Sequence, residues 1–382
     1  MQLFSDISRT DTAPASHGED RFEYYNRSAR VGVVNIRRLI QAWFDAYPRS
    51  EQAELAARFR WAFDSAYFEL FLHELSRRLG YDVTVHPHLP SGISKRPDFG
   101  LTLADKLTYL EARVVTDEND AQVNERKIRA TIFDQINALD IPDYFLILET
   151  LRLRSGTTPS LRRLKRELLQ WIESLSYDET SRLARQSLDL TPRWTFTNDS
   201  VLIEIAVIPV SASHRGHPAH RPIGVYPMEA SWGGPERSMR KALQRKSGKY
   251  GQLASPYVIA LNVTKSFNPD RIAEMNALFG DEQFLFGPKS APPQVERKRN
   301  GFWIGPQGIQ NTRVSAVLIC SVHPSNVHNA PACLYHNPWS KHPLRGSFSR
   351  LPSAAIDENG ITWHRGVSFG ELLGLEAGWL EE

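Results

Sequence analysis

Glu69, Asp98, Glu111 and Arg113 are the residues whose types and spacing could do chemistry. Asp98 follows Pro97 in an extended run, Pro97–Leu103. Glu111 and Arg113 stand in the next run, Thr108–Val115, after the turn Ala104–Leu107. Side chains alternate along a strand. Phe99, Leu101 and Leu103 therefore share an apolar face, and Asp98, Gly100 and Thr102 share the other. In the later run Tyr109, Glu111 and Arg113 fall on one face. A hairpin with its apolar faces aligned brings Asp98 beside Glu111. Two adjacent carboxylates repel unless a cation or a proton lies between them. Oxygen ligands alone suit a hard cation such as Mg²⁺, which can polarise a phosphoryl oxygen and activate a water. Glu69 adds a third carboxylate on a helix crowded with apolar residues, where an unpartnered charge is costly. Taken singly, each has a structural reading: Asp98 as a turn cap, Glu111 with Arg113 as a solvated pair, Glu69 as one half of a salt bridge.

The elements that must position these residues are legible from periodicity. Residues 1–20 read as a loose leader. Val34–Tyr47 and Glu51–Arg60 read as N-terminal helices, within a segment 21–60. Asp64–Leu79 carries Tyr67, Phe68, Phe71, Leu72, Leu75 and Leu79 around most of its circumference, so it reads as a buried helix that ends at Gly80. Tyr81–His86, Pro97–Leu103 and Thr108–Val115 read as strands, Ala121–Leu139 as a helix, and Tyr144–Glu149 as a central strand. Ser160–Leu175, Val201–Val210, Pro235–Tyr250, Tyr257–Val263 and Val314–Val322 read as further helices and strands, treated as one continuing sheet. A short helix follows Ser368. The expected division is an α/β core over 61–265 with inserted helices, and a C-terminal extension over 266–382 that could pack on the same core.

Helix, three strands, helix, strand, with Pro97-Asp98 and then Glu111-Ala112-Arg113, resembles the core pattern of PD-(D/E)XK nucleases, the restriction-endonuclease-like superfamily. Phe68-Glu69 stands before Gly80-Tyr81 much as a first-helix glutamate does in restriction-type members. The stretch Phe68–Val115 also looks like uncharacterised bacterial proteins of that superfamily. The resemblance covers about residues 60–150. It implies a mixed sheet flanked by helices. It also implies a cation, Mg²⁺ or alternatively Mn²⁺, held by Asp98, Glu111, the Ala112 carbonyl and Glu69, with hydrolysis of a phosphodiester by an activated water. DNA is the expected substrate, in restriction, repair or phage defence. Arg113 departs from the pattern, which has lysine there. Arginine stays charged and cannot be a general base, but it can position water or stabilise a crowded phosphate. Lys127 or Lys95 could supply an ammonium instead. The competing expectation is a nuclease-fold module that binds DNA and has lost its chemistry.

The chain has 382 residues, with 46 Lys and Arg against 43 Asp and Glu. A net charge of +3 says little about nucleic acid, so the placement of cations matters more. Arg237, Lys241, Arg245 and Lys249 recur at four-residue spacing as a stripe, widened by Arg240 and Lys246. Such a stripe suits a row of phosphates. Arg126, Lys127 and Arg129 form another cluster. Arg297-Lys298-Arg299, followed by Phe302-Trp303, could meet a flexible strand by charge and stacking. Two cysteines cannot form a disulfide framework. No apolar run is long enough for a membrane span, and no signal peptide is visible. The expectation is a cytoplasmic protein without a membrane partner, with a homodimer left open. His214, His217 and His220 are evenly spaced, and His86 and His88 flank Pro87, but no cysteine stands at zinc spacing. No phosphate-binding Gly-Lys-Ser/Thr loop or Gly-x-Ser-x-Gly elbow is present.

Overall fold

The computed structural model describes residues 1–115, 120–154, 156–216, 221–227, 234–264, 270–285, 294–344, 346–357 and 360–381. The chain divides into two compact units. One comprises 1–13, 21–117 and 232–382, and the other comprises 14–20 and 118–231.

The first unit is built on an eight-stranded mixed sheet with helices on both faces. The helix Phe63–Arg78 is buried on nearly every side, as its apolar circumference requires. It ends in a glycine cap. Gly80 takes φ +89°, its N–H donates to the Arg77 carbonyl at 2.9 Å, and the Tyr81 N–H reaches back to the Ser76 carbonyl at 3.1 Å. These two bonds satisfy carbonyls that the helix end would otherwise orphan. The cap also turns the chain into the sheet.

Three strands follow: β1 (Asp82–Val85), β2 (Phe99–Leu103) and β3 (Lys106–Val114), each antiparallel to the next. Ala104 and Asp105 both adopt positive φ, 46° and 62°. That is the two-residue turn whose twist matches a hairpin. It pins Leu103 opposite Lys106 and Phe99 opposite Leu110. Phe99, Leu101, Leu110 and Val114 pack under the helix Phe63–Arg78, as alternation anticipates.

The strand beside β3 is Tyr257–Asn262, parallel to it, with Glu111 opposite Ile259. This differs from the expected continuation through Tyr144–Glu149. The strand Tyr144–Leu153 lies in the other unit, paired with Val201–Pro209 and Ile223–Val225. Both Tyr257–Asn262 and Tyr144–Leu153 are apolar runs, and periodicity names a strand without naming its partner. The helix that precedes Tyr257–Asn262 is Pro235–Ser247. Its Met239 and Leu243 pack with Ile259, Leu261, Val317 and Ile319 on the sheet face opposite the first helix. The sheet continues through Ala316–Cys320, Ala332–His336, Ser353–Asp357 and Gly360–His364. Residues beyond 266 thus supply half of its strands, and the core boundary expected at 61–265 crosses both units. The expected leader is also anchored in part, because Leu3 and Phe4 are buried and Phe4 stacks on Phe22. The C-terminal helix Phe369–Leu373 begins with a Ser368–Glu371 capping box.

The second unit has a four-stranded sheet in the order Arg193–Thr197, Val201–Pro209, Tyr144–Leu153, Ile223–Val225. Ile128, Ile132 and Ile136 of the helix Asp120–Asn137 and Leu164 and Leu168 of Leu161–Glu173 share its core with Leu146, Leu148, Ile203 and Ile205. Of the evenly spaced histidines, His217 and His220 lie outside the described residues. Among the described residues no helix is long and apolar enough to cross a membrane.

Nothing crowds the space a Cβ would take at Gly80, so replacing it tests backbone conformation alone. Gly80→Ala is expected to destabilise the protein by about 1 kcal/mol, read as a lowered urea midpoint with secondary structure retained.

Candidate functional site

The hairpin register places Asp98 across from Glu111, one step beyond the pair Phe99–Leu110. The Asp98 Oδ2 accepts the Ala112 N–H at 2.6 Å, which ties the carboxylate to β3. Ala112 therefore enters the site through its backbone, while its side chain packs against the apolar cluster on the other face. The His86 N–H donates to the Asp98 carbonyl at 3.0 Å. Asp98 is partly buried, and its carboxyl is pushed up to about 7. Burial is the main cause, followed by the negative charges of Glu111 and Glu69, with Lys246 and the Ala112 N–H opposing.

Glu111 is 0% exposed, so it is not the solvated partner of Arg113. Its Oε1 accepts from the Lys246 ammonium and, at 2.9 Å, from the Lys249 ammonium. Its Oε2 accepts from the Tyr250 hydroxyl. The same hydroxyl is 2.8 Å from the Arg96 carbonyl. Burial and the neighbouring Glu111 push the Tyr250 hydroxyl well above its ordinary range, so it remains a donor. Lys246 lies in the last turn of the helix Pro235–Ser247, and Lys249 and Tyr250 follow it. The crossover that brings Tyr257–Asn262 beside β3 therefore also supplies the counter-charges for Glu111.

Glu69, 3% exposed, is clamped by Arg58, whose two terminal nitrogens reach its two oxygens at 2.7 Å each. The Tyr47 hydroxyl donates to it at 2.8 Å. The paired fork is the strong geometry for an arginine and a carboxylate. The salt-bridge reading of Glu69 is thus present, and so is its proximity to the other acids. Oxygen or nitrogen ligand atoms of Glu69, His86 and Asp98 all lie within 4.8 Å of one another. The His86 Nδ1 is 3.1 Å from a Glu51 oxygen. That contact leaves its Nε2 turned to Glu69, 3.9 Å away.

The remaining expected residues divide between the two units. Arg113 shares the Glu111 face of β3 by alternation, and its Nε is buried without a hydrogen-bond partner. Lys127 and Arg126 are exposed on the helix Asp120–Asn137 of the second unit. The ammonium groups that meet Glu111 are instead Lys246 and Lys249. Lys95 is exposed. Of the basic stripe, Arg237, Lys241 and Arg245 are exposed on the helix Pro235–Ser247. Lys249 leaves the stripe, because it lies past the helix end and turns to Glu111. Phe302 and Trp303 are fully buried in the core, so the expected stacking of nucleic-acid bases on them has no exposed ring to use. Sequence reading missed Lys246 and Tyr250 as partners of Glu111, and His86 as a neighbour of Asp98. The available signal was the closeness of Lys246, Lys249 and Tyr250 in sequence where the helix ends.

Fold and site together define an α/β protein with a mixed sheet flanked by helices, in which Glu69, His86 and Asp98 form one ligand-distance group and Glu111, on β3, stands outside it with its own partners. Comparison with protein-family models, with curated proteins and with solved structures returns no match for this chain.

The donor set of Glu69, His86 and Asp98 has the spacing to hold a metal ion. Glu69 pairs with Arg58 and Glu111 with Lys246 and Lys249, whereas Asp98 accepts a backbone N–H and has a raised affinity for a proton. A site that attracts a proton to relieve carboxylate repulsion can relieve it with a metal ion instead.

His73, on the same helix as Glu69, is buried with its ring edge-on to Tyr47 at 4.8 Å and no partner for Nδ1. Burial depresses its pKa to about 4, from 6.5. The unfolded chain therefore binds the extra proton between these values, and stability from a neutral His73 is lost as pH falls from about 6.5 towards 4. His73→Phe is expected to remove about 3 kcal/mol of acid sensitivity at pH 4 relative to wild type, read from urea midpoints at pH 7 and pH 4. An unchanged difference between the two pH values would refute this assignment.

Proposed function

We propose that this protein is a divalent-cation-dependent nuclease with a restriction-endonuclease-like core, acting on phosphodiester bonds, with DNA as the favoured substrate. The observation that carries the reading is the grouping of Glu69, His86 and Asp98 at ligand distance, with Asp98 tied to β3 through the Ala112 N–H, next to Glu111 in sequence. The order of the helix Phe63–Arg78, three antiparallel strands, the helix Pro235–Ser247 and a parallel strand supports it. In this reading the second unit is an insertion between β3 and the crossover helix.

Asp98, Glu111 and Glu69 would hold the cation, with the Ala112 carbonyl as a further oxygen donor. His86 adds an imidazole at the same place, which favours Mn²⁺ over Mg²⁺ as the tighter ligand partner. A bound divalent cation would neutralise charge on the phosphate and lower the pKa of a water. The ammonium that the motif usually carries at position 113 would come from Lys246 or Lys249, both already beside Glu111. Arg113 cannot take up a proton at neutral pH, so its role is to orient the phosphate or a water. Arg237, Lys241 and Arg245 offer exposed positive charge along one helix for the backbone of the substrate.

A second reading keeps the fold and the nucleic-acid contact without hydrolysis. It is favoured by the full set of donors on Glu111, which leaves that carboxylate already compensated.

Purified protein with Mn²⁺ or Mg²⁺ is expected to cut plasmid, linear or single-stranded DNA. Asp98→Ala and Glu111→Ala are each expected to reduce the rate by at least about a hundredfold. Cutting that survives both substitutions would place the chemistry elsewhere. Binding of DNA with no cutting in either metal would establish the second reading.

A further inference from the structure

Charge at the carboxylate cluster is already balanced without a metal ion. Glu69, Asp98 and Glu111 face Arg58, Lys246 and Lys249, and Arg113 adds a further cation on the Glu111 face of β3. A divalent cation entering this cluster would add two uncompensated positive charges in a place with little water, where such charge is expensive. It would also have to share Glu111 with two ammonium groups. Either the lysines must leave or an anion must arrive with the metal.

The geometry favours both together. Lys246 and Lys249 are not sealed in. Their side chains are 19% and 27% exposed, whereas Glu111 is 0% exposed. They also sit at the end of the helix that presents Arg237, Lys241 and Arg245 to solvent. A phosphate backbone drawn along that helix reaches Lys246 and Lys249 next. Lysine stems are long and flexible and their ammonium groups are compact, so each can swing from the carboxylate to a phosphate without rearranging the sheet.

We infer that Lys246 and Lys249 form a latch on Glu111 that nucleic-acid phosphate releases, so that metal and nucleic acid bind the site cooperatively. This inference rests on the nuclease reading of the same site. In the free protein the two ammonium groups occupy the metal's ligand. With a phosphate backbone in place they pair with it, Glu111 turns to the cation, and the added phosphate charge offsets the metal. The coupling is reciprocal, so the metal strengthens nucleic-acid binding by the same factor. The latch also keeps the free protein from holding an active cation away from its substrate.

The test is a titration of the full chain with Mn²⁺, following free Mn²⁺ by electron paramagnetic resonance, with and without a short DNA duplex. Asp98→Ala serves as the blank for ion bound to DNA or to the surface. Wild type is expected to bind Mn²⁺ weakly alone, and about 5- to 150-fold more tightly with the duplex. Lys246→Gln with Lys249→Gln keeps donors at Glu111 but removes the charges. This variant is expected to bind Mn²⁺ tightly without DNA and to gain little when DNA is added. If the double variant does not fold, as judged by near-ultraviolet circular dichroism, each single variant is expected to show part of the gain. Asp98-dependent Mn²⁺ binding that is equal with and without the duplex in wild type would overturn the latch while leaving the nuclease reading intact. No Asp98-dependent Mn²⁺ binding in wild type or in the lysine variants, with or without DNA, would sink both.

Discussion

A carboxylate with no access to water cannot stay ionised inside a protein unless donors and cations surround it. Glu111 is such a group, and the first unit is arranged around meeting that demand. Its counter-charges, Lys246 and Lys249, and its hydroxyl donor, Tyr250, come from more than 130 residues further along the chain. They reach it only because the helix Pro235–Ser247 packs on the sheet through Met239 and Leu243 and leads into a strand parallel to β3. The same demand is met at Glu69 by Arg58 and Tyr47, from helices that precede the sheet. At Asp98 the carboxylate accepts the Ala112 N–H, and burial with the nearby negative charges of Glu111 and Glu69 raises its pKa.

That arrangement holds only if the hairpin keeps its register. A slip of one residue would send Asp98 and Glu111 to opposite faces. The two positive-φ residues of the turn, Ala104 and Asp105, set the pairing from the tip. Burial of Phe99, Leu101 and Leu110 under the helix Phe63–Arg78 sets it from the side. Local backbone geometry and core packing thus agree on one answer, as expected of a sequence that specifies a single pairing.

Much of this was readable in the chain. The buried helix ending at Gly80, the three strands and the shared face of Asp98 and Glu111 follow from period and turn chemistry within about fifty residues. Legibility failed where partners are distant or a face had to be chosen. Tyr144–Leu153 and Tyr257–Asn262 look alike as apolar strands, yet only the second pairs with β3. Lys249 continues a four-residue spacing, yet the helix stops at Ser247 and the side chain turns inward. Phe302 and Trp303 follow a basic run, yet they are core residues. His86 looked like half of a histidine pair with His88, and its relation to Asp98 and Glu69 depends on how β1 and the helix before it meet.

The sequence by itself determined which residues are acids, which segments bury an apolar face, and that Asp98 and Glu111 point the same way from neighbouring strands. Those properties are local, because side-chain alternation and turn geometry act over a few residues. Only the tertiary structure decided which cations compensate them and whether they meet water. It also decided that a second unit stands in the chain between β3 and the strand that pairs with it. Burial and ion pairing depend on what packs from afar, and two segments of similar composition can satisfy the same local pattern while only one satisfies the charge at its centre.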